Sequence, residues 1–317
     1  MTVDAIARAQ PGTPTTTRTV ALFPGQGSQR PGMAAWITEH PAAEAVFRRA
    51  DDILGLPLTR LCVDGTAEEL RATDVTQPAI VATSLALHAV RAEQGLLPAA
   101  VAGHSLGEFT ALAVAGVFDE EAVLRLVRRR GELMAEVSGR YDGAMSAIIG
   151  LPAEQVDTLC AQVDSGVVGV ANYNQPTQTV VSGDTTAVAA LEDLARTAGA
   201  AKVVRLKVSG AFHSPLMADI ADEFGAELDR YALRPPRIPI LSAVTADYVT
   251  EPADIRTLLR GQLLAPVRWV DTIRRAVSDG YEDLLELGPG QVLTGFSRRI
   301  APDTPSTAVS APAPARG

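Results

Sequence analysis

The sequence contains little cysteine and little histidine. Its 317 residues include two cysteines and four histidines, and Cys62 and Cys160 stand in unrelated contexts that lack the spacing of metal ligands. A disulfide framework and a zinc site therefore have no support, and we expect no bound metal. Since this cysteine usage is typical of a reducing compartment, a cytoplasmic location is the default prediction.

Long apolar runs and clustered cationic charge are also missing. No stretch is apolar for long enough to span a bilayer, and residues 1–18 lack the apolar core of a signal peptide. The formal net charge is −9 and the pI is near 5.0, whereas a nucleic-acid surface needs clustered positive charge. We therefore expect neither a membrane nor a nucleic-acid partner, and small molecules or proteins are favoured.

The complete glycine patterns of nucleotide-binding loops are absent as well. The stretch FPGQGSQRPGM at 23–33 is rich in glycine, but Arg30 stands where the dinucleotide fingerprint needs its third glycine, and no P-loop motif occurs. Gly25 and Gly27 instead allow the backbone to pass close to a neighbouring segment, and Gln26 between them offers an amide donor.

What the sequence does contain is enough apolar material for a large core. Apolar residues make up 47% and charged residues 21%, which excludes wholesale disorder. Short buried strands are predicted at 19–25, 99–104, 238–244 and 282–288, with helical patterns between them, of which 75–95 is the clearest. This alternation predicts an α/β fold with a parallel sheet.

The segment 143–207 has a different rhythm. Its patterns follow the order strand, helix, strand, strand, helix, strand, which is that of the ferredoxin-like unit. We predict a small inserted ferredoxin-like subdomain, with a large domain formed by 19–142 and 208–300. Residues 1–18 and 301–317 lack a periodic pattern and are rich in small residues and proline, so both ends are predicted to be disordered.

A Gly-x-Ser-x-Gly turn, GHSLG at 103–107, joins a predicted strand to a helix. Such a turn is the nucleophile elbow of α/β-hydrolase-like domains, in which two glycines avoid collisions and the serine stands at the tip. The N–H of Leu106, at the start of the helix, would stabilise an oxyanion. The pattern predicts that Ser105 is a nucleophile; the alternative is that it only caps the helix.

A serine nucleophile needs a base. The available histidines are His40, His88, His104 and His213. His40 lies at a helix boundary and His88 lies in an apolar helix. Strand alternation points the ring of His104 away from the serine. His213, in a turn before a helix, is the best candidate by elimination; the alternative is a histidine near a helix N-terminus. Several acids lie between the serine and this histidine, but none is in a loop typical of a triad member, so the triad is incomplete. They include Asp142, Asp184 and Asp193.

Three consecutive arginines occur in LVRRRGELM at 126–134. Successive helical residues point about 100° apart, so at most one or two of these arginines can face a site. The others are expected on a solvated helix face.

Six motifs occur along the chain in this order: FPGQGSQ, GHSLGE, RRRGELM, GAFHS, GQLLAPVRW and ELGPGQVLTG. Together they closely resemble the malonyl-CoA:acyl carrier protein transacylases, over roughly residues 19–300 and including the inserted subdomain. The resemblance implies an acyltransferase with a ping-pong route from malonyl-CoA to a serine, and from the serine to the phosphopantetheine thiol of an acyl carrier protein. It implies no bound cofactor.

The resemblance also implies roles for individual residues. Ser105 matches the acylated nucleophile and His213 its base, while Gln26 and Leu106 match the oxyanion hole. Arg130 matches the arginine that binds the free carboxylate of the substrate. In addition, Gln262 matches the position whose backbone carbonyl orients the histidine and replaces the triad acid. Further substrate-binding positions are Met134, in the arginine motif, and His104 as a supporting residue.

Phe212, directly before His213, bears on the acyl group. An Ala-Phe-His arrangement resembles malonyl-selective polyketide acyltransferases, in which the ring crowds the space of an α-methyl group, whereas methylmalonyl-selective ones carry serine there. Because one methyl group is worth about 1–3 kcal/mol in a pocket, we expect a preference for malonyl. The alternative is that Phe212 simply packs against the insertion.

An acidic carrier protein would dock on positive charge. Arg298 and Arg299 on the last predicted helix, with Arg268, form a candidate patch, and a solvated face is the alternative. The alternatives for the whole chain are a hydrolase that clears stalled acyl groups from carriers, a transacylase for methylmalonyl or longer units, and a non-catalytic docking subunit. Fatty acid and polyketide synthesis both stay open, and GAFHS together with the Pro/Ala-rich tail weakly favours a trans-acting polyketide enzyme.

Overall fold

The computed structural model describes residues 18–208 and 210–309. The strands are β1 Thr19–Phe23, β2 Ala100–Gly103, β3 Gly143–Ile149, β4 Val168–Gln175, β5 Gln178–Asp184, β6 Lys202–Arg205, β7 Ile240–Ser242, β8 Asp247–Val249, β9 Asp283–Leu287 and β10 Ser306–Val309. The α-helices are α1 Pro41–Leu54, α2 Leu58–Asp64, α3 Thr73–Glu93, α4 Gly107–Val114, α5 Glu120–Ser138, α6 Ala153–Cys160, α7 Thr185–Thr197, α8 Ala218–Leu228, α9 Pro252–Gly261, α10 Trp269–Ser278 and α11 Val292–Ile300. A short 3₁₀ turn, Pro215–Met217, precedes α8.

These elements form two sheets. The larger sheet has the strand order β10-β9-β1-β2-β7-β8, in which neighbours from β10 to β7 run parallel and β8 is antiparallel to β7. The smaller sheet has the order β4-β5-β3-β6 and is antiparallel throughout. The predicted α/β fold with a parallel sheet is confirmed, and a second, antiparallel sheet lies in the middle of the chain.

Strand β1 shows why the larger sheet is buried on both faces. Successive side chains of a strand point to opposite sides of the sheet. Val20 and Leu22 belong to the core that contains Trp269 of α10, whereas Ala21 and Phe23 belong to the core formed with α3, α4 and α5. Helices therefore cover both faces, which explains why this strand is a continuous apolar run.

The smaller sheet is covered on one face by its own helices. Ile148 and Val181 pack with residues of α6 and α7, whereas Met145 and Val180 join the core of the larger sheet. The second face of this sheet thus lies over the carboxyl end of β2, where the Gly-x-Ser-x-Gly turn is located.

The chain end beyond residue 300 differs from the prediction. The expectation of a disordered tail from 301 is wrong for Ser306–Val309, which pair in parallel with Leu284–Leu287 of β9. This strand is stabilised by backbone pairing with a distant segment, which its short, proline-flanked sequence does not reveal. The parts of the predicted disordered ends at 1–17 and 310–317 lie outside the described residues.

Within the described ranges, no helix combines the length and the apolar character needed to cross a membrane. In the same ranges, no three His, Cys, Asp or Glu side chains form a group that could hold a metal ion.

Candidate active site

Ser105 occupies a sharp turn between β2 and α4. Its φ is 51°, in the left-handed region that non-glycine residues seldom adopt. A Cβ atom at Gly103 would lie 2.0 Å from the carbonyl carbon of Gly107, and one at Gly107 would lie 1.9 Å from the carbonyl oxygen of Phe23. Both glycines are therefore required by the close approach of backbone segments, and they fix the serine in its strained conformation.

His213 contacts this serine from the segment that follows the smaller sheet. The Ser105 Oγ lies 2.7 Å from His213 Nε2, and His213 also has a positive φ, of 57°. On the other side of the ring, Nδ1 lies 3.0 Å from the carbonyl oxygen of Gln262 and 2.9 Å from that of Ala265. Since carbonyl oxygens only accept, the ring proton belongs on Nδ1, and Nε2 is the acceptor that faces the hydroxyl.

The environment of His213 keeps its ring neutral. Burial, reinforced by repulsion from the Arg130 guanidinium, lowers the pKa of His213 to about 3, although the carbonyl oxygens of Ala265 and Gln262 act in the opposite direction. A neutral imidazole is the form that can accept the serine proton.

No carboxylate among the described residues takes the place of a triad acid. The three candidate triad acids form other contacts. Asp142 accepts a hydrogen bond from Thr185, and Asp184 accepts one from the N–H of Val167. Asp193 forms an ion pair with Arg196. Two main-chain carbonyls orient the histidine instead.

Arg130 enters the site from α5 and is 1% exposed. Its Nη2 lies 3.3 Å from Ser105 Oγ and 3.3 Å from Gln262 Oε1, and its Nη1 lies 3.1 Å from Gln77 Oε1. The guanidinium also lies 5.7 Å from the ring centre of Phe109. All of its hydrogen-bond partners among the described residues are neutral, its Nε has no partner among them, and burial lowers the pKa of Arg130 to about 10.

The two preceding arginines lie outside the site. Arg128 donates to the carbonyl of Asp74 over 2.8 Å and pairs with its carboxylate; this carbonyl has no helical donor because Pro78, four residues later, lacks an N–H. Arg129 is surrounded by glutamates on the surface, including Glu223 of α8. Of the three consecutive arginines, Arg130 is the one that reaches the serine.

A cavity of about 110 Å³ opens above the serine. It is lined by Gln26, His104, Ser105, Arg130, Met134, Met145, Asn172, Leu206, Val208, Phe212 and His213. The predicted positions Met134, Phe212 and His104 thus lie on its wall. A neighbouring cavity of about 260 Å³ shares several of these residues and extends between the smaller sheet and α11, past Asn174, Gln178 and Phe296.

The predicted oxyanion donors lie beside Ser105. Leu106 directly precedes α4, and its N–H donates to no backbone group among the described residues. Gln26 lines the cavity, but its side-chain Nε2 lies 3.5 Å from Thr73 Oγ1. The loop packs against the elbow at Gly25, where a Cβ would lie 2.6 Å from the carbonyl oxygen of His104, so Gln26 directly follows a close approach to the turn.

His104 links the elbow to the smaller sheet. Its Nε2 lies 2.8 Å from Asn174 Oδ1, and its ring makes an edge contact with Trp269 at 5.4 Å between ring centres. Burial lowers the pKa of His104, so its ring is neutral and acts through hydrogen bonding and packing.

The three candidate docking arginines lie away from this cavity. Arg268 pairs with Asp271, Arg298 donates to the carbonyl of Ser306, and Arg299 donates to Gln175 Oε1 in the smaller sheet over 3.1 Å. Each is engaged in a contact within the chain.

The sequence reasoning missed the wall residues Met145, Asn172, Leu206 and Val208, and it missed three residues that contribute polar groups around Arg130, His213 and Gln262. Gln77 lies in an apolar helix, fully buried, and its amide bridges Arg130 and Met134 Sδ. Ala265 contributes only a carbonyl, which no sequence pattern reveals. Glu108 is a carboxylate with 1% exposure directly after the elbow; a charged residue among apolar neighbours in GEFTALAV was the available signal.

Comparisons with known proteins all identify the same family. The model of the acyl transferase domain matches residues 20–311. The malonyl CoA-acyl carrier protein transacylase of Haemophilus influenzae is 41% identical over 293 residues, which cover 91% of this chain and 94% of that protein. Two solved structures each have a TM-score of 0.90. A complex of a type II polyketide synthase acyl carrier protein with its malonyl transacylase has 39% identity and covers 93% of this chain and 97% of that one. An acyl carrier protein S-malonyltransferase of Vibrio cholerae has 40% identity and covers 93% and 98%. This chain therefore belongs to the malonyl CoA-acyl carrier protein transacylases of the acyl transferase domain family.

Proposed function

We propose that this protein takes the malonyl group of malonyl-CoA onto Ser105 and passes it to the phosphopantetheine thiol of an acyl carrier protein. One observation carries the proposal: a buried arginine, Arg130, whose guanidinium has only neutral hydrogen-bond partners, lies 3.3 Å from a serine that is 2.7 Å from a neutral histidine. The site thus combines an activated nucleophile with a receptor for a carboxylate.

The first half-reaction forms the acyl-enzyme. The Ser105 oxygen attacks the thioester carbonyl while Nε2 of His213 takes its proton, and the oxyanion is stabilised by the backbone N–H groups of Leu106 and Gln26. The C–S bond then breaks, and the imidazolium returns the proton to the departing CoA sulfur. The carbonyls of Gln262 and Ala265 stabilise the imidazolium through Nδ1, which is the role of the acid in a Ser-His-Asp triad.

Arg130 selects for the free carboxylate of the malonyl group. A planar guanidinium can bind a carboxylate through two charge-assisted hydrogen bonds. An uncharged acyl group would leave the buried cation without a counterion, which is worth a few kcal/mol, or about hundredfold discrimination.

The second half-reaction uses the same residues in reverse. The carrier thiol gives its proton to His213, attacks the ester carbonyl, and Ser105 leaves with the proton. Transfer rather than hydrolysis requires that water be kept from the ester, and the apolar wall formed by Met145, Leu206 and Phe212 serves this purpose. The cavity between the smaller sheet and α11 is a suitable path for the pantetheine arm, and Arg268, Arg298 and Arg299 would meet the acidic carrier on the surface outside this cavity.

The cavity size favours a short acyl group. About 110 Å³ corresponds to roughly four water molecules at liquid density, which suits malonyl and argues against long chains. Phe212 on the wall limits the space for an α-methyl group. Both a long-chain transacylase and a hydrolase are less favoured, the latter because a buried Arg130 without a direct ion-pair partner has no use in clearing uncharged acyl groups.

The finer architecture is part of the same proposal. Residues 143–207 form a ferredoxin-like subdomain inserted into an α/β-hydrolase-like domain of 19–142 and 208–300; the order β3, α6, β4, β5, α7, β6 and the strand order β4-β5-β3-β6 support this. A cytoplasmic location stays a prediction. The carrier that accepts the malonyl group decides whether the product enters fatty acid or polyketide synthesis.

Intact-mass measurement tests the function. The protein is incubated separately with malonyl-, methylmalonyl- and acetyl-CoA, and then with an acyl carrier protein that bears phosphopantetheine. We expect a malonyl adduct that Ser105→Ala abolishes and that moves to the carrier. An adduct seen only with acetyl-CoA would refute the role of Arg130, and loss of the adduct to water without labelling of the carrier would identify a hydrolase.

A further inference from the structure

Glu108 is a buried carboxylate that the reaction above does not use. It lies in the first turn of α4, three residues after Ser105, with 1% exposure. Its Oε2 accepts a hydrogen bond from Gln262 Nε2 over 2.7 Å. Burial raises the pKa of Glu108 to about 7, while hydrogen bonds from Ser242 and Gln262 and the charge of Arg130 act in the opposite direction. Burying such a group is unfavourable, so its retention calls for a specific partner.

The partner is the side chain of Gln262. Besides the bond to Glu108, its Nε2 donates to the carbonyl oxygen of Ser105 over 3.1 Å, and its Oε1 accepts from Arg130 Nη2 over 3.3 Å. Its own backbone carbonyl accepts from His213 Nδ1. One glutamine therefore contacts the proposed nucleophile, its proposed base and the arginine proposed to bind the substrate carboxylate.

The direction of these hydrogen bonds is determined at both ends. A carboxylate and a carbonyl only accept, so Glu108 and Ser105 require the amide nitrogen of Gln262 on their side. This leaves the amide oxygen for Arg130, which only donates. If Glu108 were replaced by a group that can also donate, the Gln262 amide could turn over and present its NH₂ group to the guanidinium.

The charges of Arg130 and Glu108 support the same arrangement of these two residues around Gln262. No carboxylate among the described residues lies within ion-pair distance of Arg130, and mutual attraction with Glu108 raises the pKa of Arg130 against the effect of burial. The charge of Glu108 thus attracts the buried guanidinium from beyond Gln262 without contacting it. At that position it leaves the guanidinium available for a substrate.

We infer that Glu108 is a positioning residue for malonyl selection: through the carboxamide of Gln262 it holds the Arg130 guanidinium beside Ser105 in the orientation that receives the substrate carboxylate. The inference rests on the proposed function and adds to it a residue that touches neither the substrate nor the reacting atoms. This role predicts that loss of Glu108 changes the preference between acyl groups. A merely structural role would instead lower the reactivity of Ser105 towards every acyl group.

The test compares acylation by malonyl-CoA with acylation by acetyl-CoA in Glu108→Gln, which preserves shape and removes the charge. We expect the ratio of the two kcat/KM values to fall by about tenfold, mainly through a higher KM for malonyl-CoA, with acetyl-CoA little affected. Glu192→Gln, at a buried carboxylate of α7 that accepts hydrogen bonds from Ser146 and Arg205 of the smaller sheet, is the matched control and should keep the wild-type ratio. An equal loss for both substrates in Glu108→Gln would overturn the inference.

Two further variants, Gln262→Met and the combination of Arg130→Ala with Glu108→Gln, test the inference independently. Gln262→Met retains the carbonyl that holds His213 but breaks the link to Arg130, so it should lower the same ratio even if Glu108→Gln does not fold. In an Arg130→Ala background, Glu108→Gln should have no further effect on the ratio. If Arg130→Ala itself leaves malonyl preference unchanged, the proposed function fails at Arg130. If Arg130→Ala removes the preference but Glu108→Gln and Gln262→Met retain it, this inference alone fails.

Discussion

The cavity above Ser105 has two walls, a floor and a roof, which are built in different ways. The floor consists of the elbow at 103–108 with Arg130, His213 and Gln262, and these residues are held by hydrogen bonds of 2.7–3.3 Å and by close backbone packing. The roof consists of Met145, Asn172, Leu206, Val208 and Phe212, and offers mainly apolar surface.

The difference separates two tasks. A reacting group must be held within a fraction of an ångström, which hydrogen bonds and strained backbone provide, whereas an apolar wall discriminates by shape and by excluding water. Changes in the floor should therefore affect chemistry or charge selection strongly, and changes in the roof should mostly alter which short acyl group is accepted.

The walls are connected through one loop. The N–H of Tyr173 in β4 donates to the carbonyl of Val267, and the N–H of Val267 donates to the carbonyl of Ala171. Val267 lies two residues after Ala265, whose carbonyl holds His213. The roof thus also supports the segment that holds His213, the proposed base, which limits how independent the two walls can be.

The largest expected effect is in the floor, at the base. His213→Ala should lower the rate of acylation by about 10³-fold or more, because no other group that the structure describes beside the Ser105 hydroxyl can take its proton. Stopped-flow or quenched-flow measurement of the acyl-enzyme with malonyl-CoA gives this rate. A loss of less than tenfold would show that the contact between the serine and this histidine is not the source of reactivity.

Arg130→Ala is expected to have the next largest effect. The kcat/KM for malonyl-CoA should fall by about hundredfold, while that for acetyl-CoA should change little or rise. Arg129→Ala, one position earlier on the same helix and paired with surface glutamates, is the control. Equal losses with both substrates would mean that Arg130 supports the fold of the floor and does not select for charge.

The pH dependence of serine reactivity tests the electrostatics of the floor. Because the pKa of His213 is lowered to about 3 by burial and by Arg130, the imidazole stays neutral and serine reactivity should be flat from pH 8 to pH 5. A histidine with the ordinary pKa of about 6.5 would be mostly protonated at pH 5, with a loss of about thirtyfold. The rate of inactivation by methanesulfonyl fluoride, a small uncharged reagent, measures this directly. Arg130→Met should move the acid limb to higher pH, since one of the causes that lower the pKa is removed; a wild-type limb near 6.5 would contradict the assignment.

The floor and the roof also differ in how far the sequence predicts them. The elbow is a local pattern of strand, glycines and helix, so its geometry could be predicted from GHSLG alone. Ser105 and His213 are 108 positions apart, and their pairing follows only by elimination among the histidines. Arg130 could be singled out from its two neighbours only through the family resemblance, since periodicity leaves one or two of them facing inward.

The remaining contacts depend on tertiary structure. Gln77 and Ala265 reach the site because α3 and the segment after α9 converge on it, and a carbonyl carries no side-chain signature. In the roof, Phe212 is the residue that the motif singles out, whereas nothing local marks Met145 in β3 or Leu206 directly after β6 until the smaller sheet is placed over the elbow. The strand β10 was missed for the same reason: its partner is β9, and nothing local marks it.

In the roof, Phe212→Ser should relax the choice of acyl group. Removing the ring opens space for an α-methyl group, which is worth about 1–3 kcal/mol, so the ratio of methylmalonyl to malonyl acylation should rise by about tenfold while the rate with malonyl falls only slightly. Leu206→Ala, elsewhere on the same wall, shows the effect of enlargement alone. A tenfold loss with malonyl-CoA and no change in the ratio would place Phe212 among the supports of His213, on the side of the floor.

The smallest effect is expected outside both walls, at the candidate docking patch. Since Arg298 and Arg299 already donate to Ser306 and Gln175, only part of their charge is available to a carrier, and rim charges act mainly on association rates. Charge reversal of both should raise the KM for the carrier protein by about threefold at low salt, with acylation by malonyl-CoA unchanged and the difference lost at high salt. Arg48→Glu, an exposed arginine on α1 away from the cavity, should have no effect. An unchanged carrier KM would remove the patch from the docking surface, and altered acylation would show that the contact of Arg299 with Gln175 holds the roof in place.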